Sequence, residues 1–126
     1  MSTATAATYQ GTFGGRAGEA ARVRREISSY LQDCPAAEDI VLIAHELAAN
    51  AIVHSRSRGG SFAVRCQVSP GAARVEVEDM GGPWRPRHPD DRPHGLDIVQ
   101  ALTGHDGWGV QPADSGGRLT WARLSW

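Results

Sequence analysis

The sequence predicts an α+β domain in which helices cover one face of a mostly antiparallel sheet. Three observations carry that expectation. Two stretches with helical spacing lie near the start, two alternating stretches joined by Pro70-Gly71 follow, and two short strand patterns close the chain. Strands that arrive in adjacent groups pair antiparallel, and a few helices beside them cover the apolar side of the sheet.

The elements follow in order. Residues 1–8, rich in Ala and Thr, read as a frayed tail, and 9–126 as a single domain, which the length of 126 residues suits. Tyr9 to Phe13 is a short strand broken by Gly14-Gly15. From Ala17 to Leu31, Ala20, Val23, Ile27, Tyr30 and Leu31 recur at spacings of three and four, while Arg22, Arg24, Arg25 and Glu26 fall largely elsewhere. That is an amphipathic helix, and Cys34-Pro35 ends it because proline disfavours helical geometry in the residue before it. A second helix starts near Pro35 or Ala36, with Glu38-Asp39 at the positive end of its dipole, and runs to about His54. It is apolar on nearly every side, as buried helices are.

Ser61 to Ser69 puts Phe62, Val64, Cys66 and Val68 on one face, and Ala73 to Asp79 alternates Ala73, Val75 and Val77 with Arg74, Glu76 and Glu78. Period-two patterns on either side of Pro70-Gly71 make a hairpin. Residues 81 to 95 carry four prolines and no periodicity, and a loop of that length suggests function. Leu96 to Leu102 is a short helix ended by Gly104, and strands around Gly107 to Gln111 and Leu119 to Ser125 complete the chain.

Composition narrows the function. Hydrophobic residues at 40% and charged ones at 21% fit a globular domain rather than a disordered segment. A formal net charge of -1 gives no electrostatic footprint for nucleic acid or an anionic membrane. No apolar run reaches the roughly 18 residues of a membrane span, and the N-terminus lacks the pattern of a signal peptide, so the expected location is the cytoplasm. Cys34 and Cys66 form no C-x-x-C pair; counting leaves a single disulfide or two reduced thiols.

The most informative stretch is Glu46-Leu47-Ala48-Ala49-Asn50-Ala51-Ile52-Val53-His54. Glu46, Asn50 and His54 stand at i, i+4 and i+8 and form a polar stripe on an otherwise apolar helix. A carboxylate there is costly unless paired, metal-bound or wet, so the stripe is either a solvated cleft edge or a site. Glu46 would offer a base and Asn50 a neutral oxygen of the kind magnesium accepts alongside phosphates and water. His54 suits the negative end of the helix dipole. His45-Glu46 opens like the zinc motif H-E-x-x-H, but Ala49 stands where the second histidine belongs.

Three further signals follow. Asp79, ending a strand before Gly81-Gly82, places a carboxylate at a pocket mouth, where it accepts from an exocyclic amine or simply starts a turn. His94-Gly95-Leu96 offers helix N-terminal amides to a phosphate, or a plain turn glycine. Gly116-Gly117 turns the chain into Arg118-Leu119-Thr120-Trp121.

In this order the motifs resemble the GHKL ATPase superfamily, and among its members the small anti-sigma factor serine/threonine kinases. The resemblance runs from about Ala20 to Trp126. It implies a Bergerat-fold two-layer sandwich with a mixed, mostly antiparallel sheet, ATP and Mg2+ as cofactors, and phosphorylation of an anti-sigma factor antagonist. Transcription would then be regulated through a sigma factor. Residue by residue it implies Glu46 as general base, Asn50 as Mg2+ ligand and Asp79 as reader of the adenine amine. Gly81, His94, Gly95, Leu96 and Thr120 complete the implied nucleotide site. Partners are the antagonist and the sigma factor, with a homodimer allowed and neither nucleic acid nor membrane expected. Pro83 and Pro93 stand where the family pattern has glycines, and its final threonine aligns with Leu119. Those departures keep two other readings open: a non-catalytic module that sequesters a regulator, and a plain ATPase.

Overall fold

The computed structural model describes residues 7–54, 60–81 and 94–126. The chain runs β1 (Ala7–Gly14), α1 (Glu19–Tyr30), α2 (Ala37–His54), β2 (Ser61–Ser69), β3 (Ala72–Asp79), α3 (His94–Thr103), β4 (Trp108–Pro112), β5 (Arg118–Ser125). The element order is the expected one, with ends displaced by one or two residues. β1 begins inside the expected tail of residues 1–8, because Ala7 and Thr8 pair with Val68 and Gln67. The proline-rich loop, with Pro83 and Pro93, lies outside the described residues.

The five strands form one sheet in the order β1-β2-β3-β5-β4, with all four pairings antiparallel. β5, last in sequence, therefore lies inside the sheet beside β3, and β4 takes the edge. Alternation sets the two faces. Phe13, Phe62, Val64, Cys66, Val75, Val77 and Ala122 point into the core. On the other face Arg65 reaches Glu76 and Glu78 at 2.9 Å each, and Arg74 reaches Glu76 at 2.8 Å while lying over the Trp121 ring. Cross-strand charge pairs of this kind let one face of an antiparallel sheet meet water.

The helices cover the apolar face. α2 lies between α1 and α3 and packs on β3. Its apolar character on nearly every side is explained by those three neighbours: Ile40, Ile43, Ala44, Leu47, Ala48 and Ala51 are all buried. α1 turns Val23 and Ile27 inward and sets Arg22 against Glu19 and Glu26. The Glu19 carboxylate also accepts from the Gly14 amide at 2.9 Å, tying the start of α1 to the end of β1.

Candidate functional site

Where α2, α3 and the ends of β3, β4 and β5 meet, the described residues enclose a cavity of about 300 Å³. α2 contributes Leu47, Asn50 and Ala51, which share a face at i, i+3 and i+4. β3 contributes Asp79, α3 Leu96, β4 Val110, and β5 Arg118 and Thr120. The walls are mainly aliphatic, with a few convergent polar groups, as in sites for a flat organic ligand.

Asp79 is 6% exposed at the end of β3. Its Oδ1 accepts from the Gly81 amide at 2.6 Å, and its Oδ2 lies 3.4 Å from Arg118 Nε. The turn expected after Asp79 and the carboxylate expected at a pocket mouth are thus both present. Gly81 itself adopts φ 73° and packs on Gly117 rather than lining the cavity. Gly117 in turn passes so close under the Asp79 carbonyl that a Cβ there would collide with it. On the polar face, Ser115 and Arg65 hold the Glu78 carboxyl below its ordinary range.

Asn50 carries the clearest chemical signal. Its Nδ2 is buried with no hydrogen-bond partner among the described residues. A buried amide left unpaired costs about 1–3 kcal/mol, so its place in a cavity wall points to a ligand that completes it. Which amide atom faces inward is exchanged by a simple side-chain flip, so the same position presents either a donor or an oxygen. One amide oxygen suits magnesium, which takes few protein ligands beside phosphates and water.

Glu46 does not join that cavity. Four residues turn the helix by about 400° and rise about 6 Å, which carries Glu46 one turn along and slightly round from Asn50. It lines a separate groove of about 400 Å³ between α1 and α2, with Arg24, Ser28, Leu42 and His45, and its Oε1 lies 3.7 Å from His45 Nδ1. His54 is the last residue of α2, and His94 and Gly95 open α3. Among the described residues no group of three His, Cys, Asp or Glu gathers to hold a metal.

The register resolves the final strand. Thr120 pairs with Val77 and Leu119 with Glu78, so Thr120 faces the cavity and Leu119 the opposite side of the sheet. Thr120, one residue after the position where the family pattern has its threonine, is therefore on the cavity side. Leu47, Ala51, Val110 and Arg118 were not among the residues expected from the sequence. Leu47 and Ala51 were within reach, three before and one after Asn50 on a helix; Val110 and Arg118 depend on which strands pair.

A family model for the histidine kinase-like ATPase domain matches residues 15–111. The chain belongs to this family. As a member it is a nucleotide-using domain of the GHKL kind, and the match takes in Asn50, Asp79 and Leu96 but stops before Arg118 and Thr120. Among solved structures, the histidine kinase-like ATPase domain described here is similar to one reported as the RsbU and RsbW domains of Rv1364c from Mycobacterium tuberculosis. The likeness has a TM-score of 0.71 at 20% identity and covers 94% of this chain and 32% of that one. It establishes the sandwich fold, and this chain spans about a third of that longer one. No protein of curated function matches significantly. Among the described residues no helix is long and apolar enough to cross a membrane.

Proposed function

We propose that this domain binds ATP and acts as an anti-sigma factor-type serine/threonine protein kinase. Its acceptor would be an anti-sigma factor antagonist, and through that antagonist a sigma factor, in the cytoplasm. The observation that carries the reading is the convergence of Asp79, Thr120 and the Asn50 Nδ2, which has no partner among the described residues, on one largely aliphatic cavity of about 300 Å³. Family membership and the fold shared with the RsbU–RsbW structure support it.

In this reading Asp79 accepts from the adenine amine, its other oxygen fixed by the Gly81 amide. Leu47, Ala51, Leu96 and Val110 sandwich the base and exclude water. Asn50 holds Mg2+, which when bound neutralises charge on the phosphate oxygens. The start of α3 at His94 and Gly95 directs backbone amides toward an anion. Glu46, one turn before Asn50, takes the proton from the acceptor serine hydroxyl, and its groove between α1 and α2 is open to a protein segment that carries one.

The test is titration calorimetry with ATP and Mg2+, followed by phosphoryl transfer to a candidate antagonist. Wild type binds, and Asp79→Asn binds markedly less. Glu46→Ala binds as well as wild type but transfers about 10²–10⁴-fold more slowly. Full transfer by Glu46→Ala removes the base assignment; no heat with ATP and no effect of Asp79→Asn removes the nucleotide reading.

One observation favours a second reading. Glu46 faces the α1–α2 groove beside His45 and not the Asn50 cavity, which suits a nucleotide-dependent module that sequesters a regulator. Partner binding without transfer selects it, whereas phosphate release without a protein acceptor selects a plain ATPase.

A further inference from the structure

β1 lies at an edge of the sheet and pairs only with β2, in unbroken register from Ala7–Val68 to Gly14–Ser61. The same register sets Gly15 opposite Gly60, and the Gly15 amide donates to the Gly60 carbonyl at 2.9 Å. Bonded and non-bonded positions alternate along an antiparallel pair. Tyr9, Gly11 and Phe13 therefore turn their backbone groups toward β2, and Thr8, Gln10, Thr12 and Gly14 turn theirs outward.

The start of α1 caps one end of that outward row. The Gly14 amide donates to Glu19 at 2.9 Å, and the Gly14 carbonyl accepts from the Arg16 amide at 3.0 Å. The Thr12 carbonyl accepts from Arg22 at 3.4 Å, a loose contact. No hydrogen bond from a described residue reaches the outward groups of Thr8 and Gln10 or the Thr12 amide. Edge strands are usually blunted by charge, proline, a bulge or shortness. β4, at the other edge, is five residues long and ends on Pro112. Ala7–Gly14 is eight residues long and has no charge, no proline and no bulge.

We propose that the uncapped stretch Thr8–Thr12 pairs with the same stretch of a second copy of this chain, antiparallel about a two-fold axis at Gln10. A two-fold axis sets one surface against itself, so its donors and acceptors must match one another. Outward groups must meet outward groups, which leaves few registers. An axis at Gly11 sets Thr8 against Gly14, whose amide is taken by Glu19. An axis at Tyr9 leaves the Thr12 amide unused. An axis at Gln10 uses every open group: Gln10 meets Gln10 of the second copy, and Thr8 meets its Thr12. The Thr12 carbonyl has a second lone pair, so Arg22 need not leave. Outside, the opposed side chains are Gln with Gln and Thr with Thr, uncharged pairs that hydrogen-bond across strands. Inside, Tyr9 comes opposite Gly11, where no side chain opposes it. The absence of charge selects this occupant: a charged strand would find no counter-charge on the edge, and β1 itself needs none. The two five-stranded sheets become one continuous sheet. β1 contributes nothing to the Asn50 cavity, so the inference is independent of the nucleotide reading.

The experiment is sedimentation velocity over a dilution series of the full chain: wild type, Gln10→Lys, Gln10→Glu, and those two variants mixed. Gln10 is exposed, so neither charge disturbs the core. Wild type is expected to be a dimer that dissociates on dilution. Gln10→Lys puts like charges directly opposite at the axis and dissociates about 5-fold or more readily. Gln10→Glu dissociates somewhat less readily than Gln10→Lys, because Arg65, its neighbour on β2, offsets part of its charge. The equimolar mixture forms a heterodimer at least as tight as wild type. Gln10→Pro removes an outward donor without touching the pairing to β2 and gives a monomer; if it fails to fold, the charge variants carry the test. A wild type that stays monomeric at every concentration overturns the proposal. So does a dimer that is indifferent to Gln10→Lys, which pairs elsewhere, or a mixture no tighter than Gln10→Lys alone, which places the axis away from Gln10.

Discussion

Gly117 lies against the backbone carbonyl of Asp79 so closely that no side chain fits at position 117. The contact joins the turn before β5 to the end of β3 and fixes where the Asp79 carboxylate stands. Gly117→Ala is expected to force the two strand ends apart and destabilise the domain by about 1–3 kcal/mol, the usual cost of overpacking. The strand shift carries Asp79 with it, so nucleotide affinity falls as well. Chemical denaturation and calorimetry on the same variant check both effects.

Asn50 and Ile43 lie on the same helix and predict opposite outcomes. Ile43 is 1% exposed in the core, and Ile43→Ala should cost about 2–5 kcal/mol while leaving the dissociation constant of the folded protein unchanged. Asn50→Ala removes a buried Nδ2 that has no partner among the described residues and adds the best helix former. Its urea midpoint should rise, and Mg2+-dependent nucleotide binding should weaken. A lower midpoint in Asn50→Ala would show that the Nδ2 group is already satisfied.

Glu19 gives a pH signature. Its hydrogen bond with Arg22, and then that with the Gly14 amide, lower its pKa from 4.5 to about 2. A carboxylate with a depressed folded pKa contributes stability that is complete above its unfolded pKa and is lost as pH falls through the folded one. The stability gap between wild type and Glu19→Gln should be full above pH 4.5 and shrink progressively toward pH 2. Urea midpoints measured from pH 6 down to about pH 3 follow the first part of that loss. A gap that does not narrow over this range counts against the contacts.

The two thiols should differ in reactivity. Cys34 and Cys66 are both free, Cys34 half-buried and Cys66 buried. Burial first, and the neighbouring Cys34 second, push the Cys66 thiol up to about 12. Since the thiolate is the reactive form, iodoacetamide at pH 8 should modify Cys34 and reach Cys66 only in denaturant. Peptide mass mapping of labelled native protein distinguishes the two; prompt labelling of Cys66 would contradict its burial.

The amino-acid sequence by itself determined the order of the elements, which side of β2 and β3 faces the core, and the placing of Glu46 and Asn50 one turn apart on α2. These are local properties: side-chain period and helix rise follow from backbone geometry and are written into neighbouring residues. Asp79 at a strand end before a glycine was legible for the same reason. Tertiary structure alone decided the rest. Strand order placed β5 beside β3, and its register turned Thr120 toward the cavity and Leu119 away, because a one-residue slip reverses every side chain of a strand. The same register set Arg118 against Asp79, thirty-nine residues earlier in the chain. The packing of α1 on α2 left Glu46 in a groove apart from Asn50, which the shared stripe did not foretell. Contacts between distant segments depend on which strands and helices meet, and no local pattern records that choice.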